Sequence, residues 1–117
     1  MLVRQILGMK GGGDVVTIEP SVPVSDAAKV LSEKRIGALL VSEGGGAPQG
    51  IISERDIVRE LGRRGDACLK DKVGDMMTKE LISCAPDDTT DSVLEKMTEG
   101  RFRHMPVMEN GALAGVI

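Results

Sequence analysis

Apolar residues recur along this chain in two rhythms, and the switches between them mark out the elements. Val3 to Leu7 is a short apolar lead-in, helical or extended, followed by a glycine-rich turn at Gly11-Gly12-Gly13. Val15-Val16-Thr17-Ile18 is β-branched throughout and predicts a strand, closed by Pro20 and Pro23, which cannot donate to a ladder. Val24, Ala27, Ala28 and Leu31 then fall at i, i+3, i+4 and i+7, one face of a helix ending near Arg35. Ala38 to Ser42 is an apolar strand, Glu43 to Gln49 a glycine-rich hairpin loop, and Gly50 to Ser53 the returning strand. Glu54 to Arg63 follows as a helix with Ile57, Val58 and Leu61 expected on its apolar face.

The pattern then begins again. Val73 to Met77 echoes the lead-in, and Leu81 to Cys84 repeats the first strand, with Ala85-Pro86 where the first copy has Glu19-Pro20. Shifted by 66 residues, the helix core positions return as Thr90, Val93, Leu94 and Met97, and Arg101, Val107 and Glu109 repeat Arg35, Val41 and Glu43. Asn110-Gly111 predicts a tighter second hairpin, after which Gly115-Val116-Ile117 matches Gly50-Ile51-Ile52. Two copies of strand, helix, strand, strand, with a following helix in the first, predict an α+β fold whose copies bury their apolar faces against each other. The motifs are expected at residues 1–72 and 73–117. Because the second copy stops one residue before its own strand-to-helix turn, the native chain is expected to continue past Ile117.

Composition narrows the function classes. A chain of 117 residues is one domain or two half-domains sharing a core. A net charge of −3 and a single aromatic, Phe102, argue against nucleic acid and anionic membranes as partners. No run has the length of a membrane span or the form of a signal sequence, so a cytoplasmic location is expected. Cys68 and Cys84 form no ligand spacing; Cys84 reads as a small buried strand residue and Cys68 as a loop thiol. Met76, Met77, Met97, Met105 and Met108 read as core. His104 is the only histidine, with no nucleophile beside it and no metal-ligand cluster around it, so no catalytic or metal site is expected. The glycine run lacks the Gly-Lys-Ser/Thr ending of a phosphate loop.

Candidate chemistry centres on Gly50-Ile51-Ile52-Ser53-Glu54-Arg55-Asp56-Ile57, a strand that turns directly into a helix. Ser-x-x-Asp at that turn has two readings. One is a capping box, in which hydroxyl and carboxylate satisfy each other's backbone amides. In the other, the amides and positive dipole end suit a phosphate, and the carboxylate accepts both hydroxyl hydrogens of a ribose diol. The residues alone leave both open. Arg101-Phe102-Arg103-His104 likewise reads as a solvated loop or as a phosphate-facing cluster, while Asp87-Asp88 reads as the start signal of the second helix.

The tandem repeat, this elbow, and Arg101-Phe102-Arg103-His104-Met105-Pro106-Val107 with Gly115-Val116-Ile117 together resemble a pair of CBS domains, also called a Bateman module. The likeness runs from Val3 to Ile117. It implies two strand-helix-strand-strand-helix motifs about a pseudo-twofold axis, a regulatory and non-enzymatic role, and no required cofactor. It also implies an adenosine-type ligand (AMP, ATP, NAD or S-adenosylmethionine) between the motifs. Carried over, Ser53 lies at the phosphate end and Asp56 holds the ribose, with Arg55 between them among the ligand-binding residues. Thr17, Ile18, Ile36, Gly37 and Ala38 flank the adenine, and Arg101, Arg103 and His104 face the phosphates. A homodimer and a regulated protein partner are further implications. The absent second Ser-x-x-Asp leaves a second nucleotide site without support. The rival is a dimerisation or protein-interaction module without a small-molecule ligand, in which Ser53 and Asp56 are caps alone.

Overall fold

The computed structural model describes residues 1–9, 16–44, 46–101 and 103–117; the glycine run, Val15 and Phe102 lie outside them. In chain order the elements are α1 (Val3–Met9), β1 (Thr17–Ile18), α2 (Val24–Lys34), β2 (Ala38–Val41), β3 (Gly50–Ser53), α3 (Glu54–Arg64), a 3-10 helix (Gly65–Lys70), α4 (Val73–Met76), α5 (Thr90–Gly100), β4 (Pro106–Glu109) and β5 (Ala112–Val116). They pack as two units: Val16–Glu80, and residues 1–9 together with Leu81–Ile117.

In the unit Val16–Glu80, β1 pairs parallel to β2 and β2 antiparallel to β3, with Ala38 opposite Ser53 and Leu39 opposite Ile52. Leu39, Val41 and Ile52 project from one sheet face into a cluster completed by Val24, Ala27 and Leu31 of α2, Ile57 of α3 and Val73 of α4. Each such burial is worth about 1.5–3 kcal/mol against exposure. Thr78 pairs with the far edge of β3, its N–H donating to the Ile51 carbonyl at 2.8 Å and its carbonyl accepting from Ile51 N–H at 3.0 Å.

The second unit repeats this frame with fewer parts. The β4–β5 hairpin turns at Asn110 (φ 52°) and Gly111 (φ 77°), the positive φ pair that a two-residue I′ turn demands. Its core is Val3, Cys84, Val93, Met105 and Val107, flanked by Leu7, Met97 and Ile117. The parallel pair Ile18↔Val41 returns 66 residues later as Cys84↔Val107. Both repeat helices also end alike. Arg35 (φ 54°, ψ 46°) and Arg101 (φ 57°, ψ 44°) close α2 and α5 in the left-handed conformation usually left to glycine or asparagine.

The lead-ins are exchanged between repeats. Val73 and Gly74, which precede the second repeat, donate to the Val22 and Pro20 carbonyls of the first at 2.8 and 2.9 Å. Val3 and Arg4, which precede the first, donate to the Asp88 and Pro86 carbonyls of the second, both at 2.9 Å. The packing units therefore cut across the expected motif boundary at residue 72.

Several expectations are corrected. On α3, Val58 is 65% exposed and Leu61 sits at the edge; the buried residues are Asp56 and Ile57, so only a narrow stripe of this helix meets the core. On α5, Val93 is buried and Leu94 exposed. Leu81 to Cys84 contributes one bridge at Cys84 rather than a regular strand. Cys68 is fully buried in the 3-10 helix. The cap of α5 is Thr89, whose hydroxyl accepts from Ser92 N–H at 3.2 Å; Asp88 instead accepts from Ala85 N–H, and Asp87 pairs with Arg4.

Candidate functional site

The site begins where β3 runs into α3. Ser53 keeps extended geometry (φ −119°, ψ 163°), so its side chain lies over the first turn of the helix. Asp56 N–H donates to Ser53 Oγ at 3.3 Å, and Ser53 N–H donates to Asp56 Oδ2 at 2.9 Å, a complete capping box. The Ser53 hydroxyl also donates to Oδ2, at 3.1 Å, and Arg59 Nη2 donates to Oδ1 at 3.0 Å. Asp56 is only 6% exposed, although it lies on the first turn of a surface helix. The capping reading of the elbow is therefore realised, and it leaves a buried carboxylate at the start of α3, with the Ser53, Glu54 and Asp56 amides already paired.

Neighbouring strands set what surrounds it. Glu54 N–H donates to the Gly37 carbonyl at 2.9 Å, and Ala38 lies opposite Ser53, so Gly37, Ala38, Ser53 and Asp56 are brought together. Side chains alternate along strands, which puts Thr17, Ala38 and Ser53 on the sheet face opposite Leu39, Val41 and Ile52. Ile18 pairs with Val41, and it and Ile36 pack against the core cluster instead. Arg55 is exposed on the first turn of α3.

Far from the elbow, α3 is pinned by charge. Arg64 donates to Glu60 at 3.2 Å and to Asp71 at 2.5 Å, and Arg63 to Glu60 at 2.9 Å. The hydrogen bond from Arg64 holds the Asp71 carboxyl below its ordinary range despite the opposing push of burial. For Glu60, burial pushes the carboxyl up but is outweighed by the Arg63 charge and the hydrogen bonds from Arg63 and Arg64.

In the other unit, Arg101 closes α5 through its N–H to the Met97 carbonyl, Arg103 is exposed, and His104 is half-buried just before β4. Burial raises the Cys84 thiol above its ordinary range, an effect added to by Asp88 and opposed by Lys96. That suits a packed thiol rather than a nucleophile. Among the described residues, no group of three or more His, Cys, Asp or Glu is placed to hold a metal ion, and no helix is long and apolar enough to cross a membrane. Sequence reasoning missed Arg59, whose signal was its position three residues after Asp56, one helical turn away.

These features define a tandem α+β repeat with a strand-to-helix elbow carrying a buried carboxylate at Ser53–Asp56. The CBS domain family model matches residues 3–63 and 73–117, and the chain belongs to the CBS-domain family. It is 37% identical over 98 residues to the CBS domain-containing protein CBSX3, mitochondrial, of Arabidopsis thaliana, covering 80% of this chain and 48% of that protein. The chain thus spans about half the length of this curated relative. Among solved structures, the CBS-domain containing protein ATU1752 from Agrobacterium tumefaciens superimposes with a TM-score of 0.94 at 44% identity, covering all of this chain and 92% of that one. The CBS domain pair of protein MJ0100, solved with methylthioadenosine and S-adenosyl-L-methionine, gives a TM-score of 0.86 at 25% identity, covering all of this chain and 92% of that one.

Proposed function

We propose that this chain is a regulatory, non-enzymatic module. It binds an adenosine-containing ligand at the Ser53–Asp56 elbow and signals the bound state to a protein partner. The observation that carries this reading is the buried carboxylate of Asp56, a residue only 6% exposed at the start of α3, beside the small residues Gly37 and Ala38. A ribose diol is matched by such an acceptor, a flat base by the aliphatic sheet face next to it, and a phosphate by the helix N-terminus. The adenosine-type ligands of MJ0100 support the ligand class. In this proposal Thr17, Gly37 and Ala38 border the base and Ser53 with Arg55 the phosphate end, while Ile18 and Ile36 support that face from the core behind it. Binding shifts the population of conformers that the partner meets, by no more than the ligand's differential affinity for them.

Thermal melting of the purified protein against adenosine, AMP, ATP, NAD and S-adenosylmethionine, with guanosine as control, tests it. A ligand at a hundred times its Kd adds about 2.7 kcal/mol, a rise on the order of ten degrees in Tm for a chain of this size. No rise with any adenosine compound contradicts the reading.

Homodimerisation is part of the proposal, since Val58 and Leu94 stand 65% and 64% exposed on α3 and α5 and a second copy would cover them. Light scattering that finds only a 12.4 kDa species removes this part. The same exposed residues favour the second reading, a protein-interaction module without a small ligand, which a flat melting panel would leave standing.

A further inference from the structure

The carboxylate of the elbow is already occupied. Its two oxygens offer about four lone-pair positions. Two, on Oδ2, are taken by the N–H and hydroxyl of Ser53, at 2.9 and 3.1 Å, and these contacts also hold the start of α3. The third contact joins two side chains of α3 and pairs none of its backbone groups. Arg59 reaches back one turn and places Nη2 3.0 Å from Oδ1, its side chain 59% exposed and that of Asp56 8% exposed. A vicinal diol brings two O–H donors to a carboxylate. With Oδ2 committed to the cap, both must share Oδ1, and Arg59 stands there. A ligand with one hydroxyl needs only the position that remains.

We infer that Arg59 gates Asp56: it competes with a diol for Oδ1, so the resting ion pair lowers affinity for a vicinal diol and narrows the distinction between a diol and a single hydroxyl. The inference rests on the reading of Asp56 as a diol acceptor and adds the regulation of that site. An ion pair with one partner mostly in solvent is weak and screened by salt, so the gate yields to ligand instead of blocking it. Had Arg59 a phosphate-binding role, its removal would act with the opposite sign and only on phosphorylated ligands.

Calorimetric titration of adenosine, 2′-deoxyadenosine and AMP into wild type, Arg59→Gln and Asp56→Asn decides it. Adenosine and its deoxy form carry no charge, which removes phosphate effects from their comparison. Arg59→Gln is expected to bind adenosine two- to fivefold more tightly, to leave 2′-deoxyadenosine unchanged, and so to widen the preference between them by the same factor. Wild-type affinity for adenosine should rise between 50 and 500 mM salt, as the pair is screened, and stay level in Arg59→Gln. Equal or weaker adenosine binding by Arg59→Gln overturns the gate, as does a loss confined to AMP. If Asp56→Asn loses adenosine while Arg59→Gln behaves as wild type, the site reading stands and the gate alone falls. If Asp56→Asn binds adenosine as wild type does, or no protein binds it, the site reading falls and takes the gate with it.

Discussion

Two regions of this molecule share a frame and differ in what that frame presents. In both, a parallel strand pair, a helix closed by a left-handed arginine, and an antiparallel hairpin recur at a shift of 66 residues, down to the same lead-in hydrogen bonds. Yet the unit Val16–Glu80 buries eight residues in its cluster, holds its hairpin between β1 and Thr78, and continues β3 into α3. The unit containing Leu81–Ile117 buries five and shows no elbow within the described residues. The repeated parts are those that make a core. The candidate chemistry resides in the hydroxyl and carboxylate at the start of α3.

The largest expected effect comes from a glycine that both regions place at the same point of the hairpin. A Cβ on Gly50 would lie 2.8 Å from the Thr78 carbonyl oxygen and 2.6 Å from Met77 Sδ, whereas one on Gly115 would meet Leu7 Cδ2 at 2.8 Å. Backbone cannot retreat without breaking the Ile51–Thr78 bridge, but the end of a leucine can rotate. Gly50→Ala should therefore cost about 1–3 kcal/mol in urea unfolding, and Gly115→Ala under about 1 kcal/mol. Equal costs would show that the Thr78 strap is not what fixes the β3 edge.

How much of this was legible beforehand follows from the same contrast. Repetition left a clear signal: the spacing of Val24, Ala27 and Leu31 against Thr90, Val93 and Met97, and the Gly50–Ser53 strand, match the structure. The Ser53–Asp56 cap was legible because its four-residue spacing is its mechanism. Periodicity failed on α3, where Val58 and Leu61 continue the apolar rhythm of Ile57 but Asp56 is the residue turned inward. A rhythm reports which face is apolar, while the capping contact determined which face is buried. The exchange of lead-ins, the Thr78 bridge and the burial of Cys68 depend on tertiary packing that no local spacing encodes. Thr89 in place of Asp87-Asp88 as the cap is a shift of one residue among adjacent residues that can all cap, and spacing alone does not choose between them.

A smaller effect separates the regions by pH. Asp71 and Glu60, in the unit Val16–Glu80, have carboxyls held below their ordinary values. A lowered folded-state value contributes stability that is present above the unfolded values of 3.8 and 4.5 and is lost as pH falls through the folded ones. Cys84, in the other unit, is raised above 9.0, so its contribution is present below that pH and lost as pH rises through the folded value. Urea midpoints should be level from about pH 5 to 8 and fall on both sides. Arg64→Gln should flatten only the acid limb, and Cys84→Ala only the alkaline limb. Reversal of these assignments would break the contrast.

The central claim is that the elbow at the start of α3 is a ligand site and more than a cap. Calorimetry of AMP binding to wild type and Asp56→Asn tests it most directly. Asn keeps the shape and one acceptor but removes the charge, so as a cap change alone it costs about 1 kcal/mol or less and leaves affinity as it was. As a diol acceptor, Asp56 makes charge-assisted hydrogen bonds worth about 1.5–3 kcal/mol each. The account therefore predicts a folded Asp56→Asn protein, melting within a few degrees of wild type, that binds AMP at least tenfold more weakly. A 2′,3′-dideoxy analogue should lose affinity against wild type and almost none against the variant. Unchanged AMP affinity in Asp56→Asn would contradict the account and leave Asp56 a helix cap.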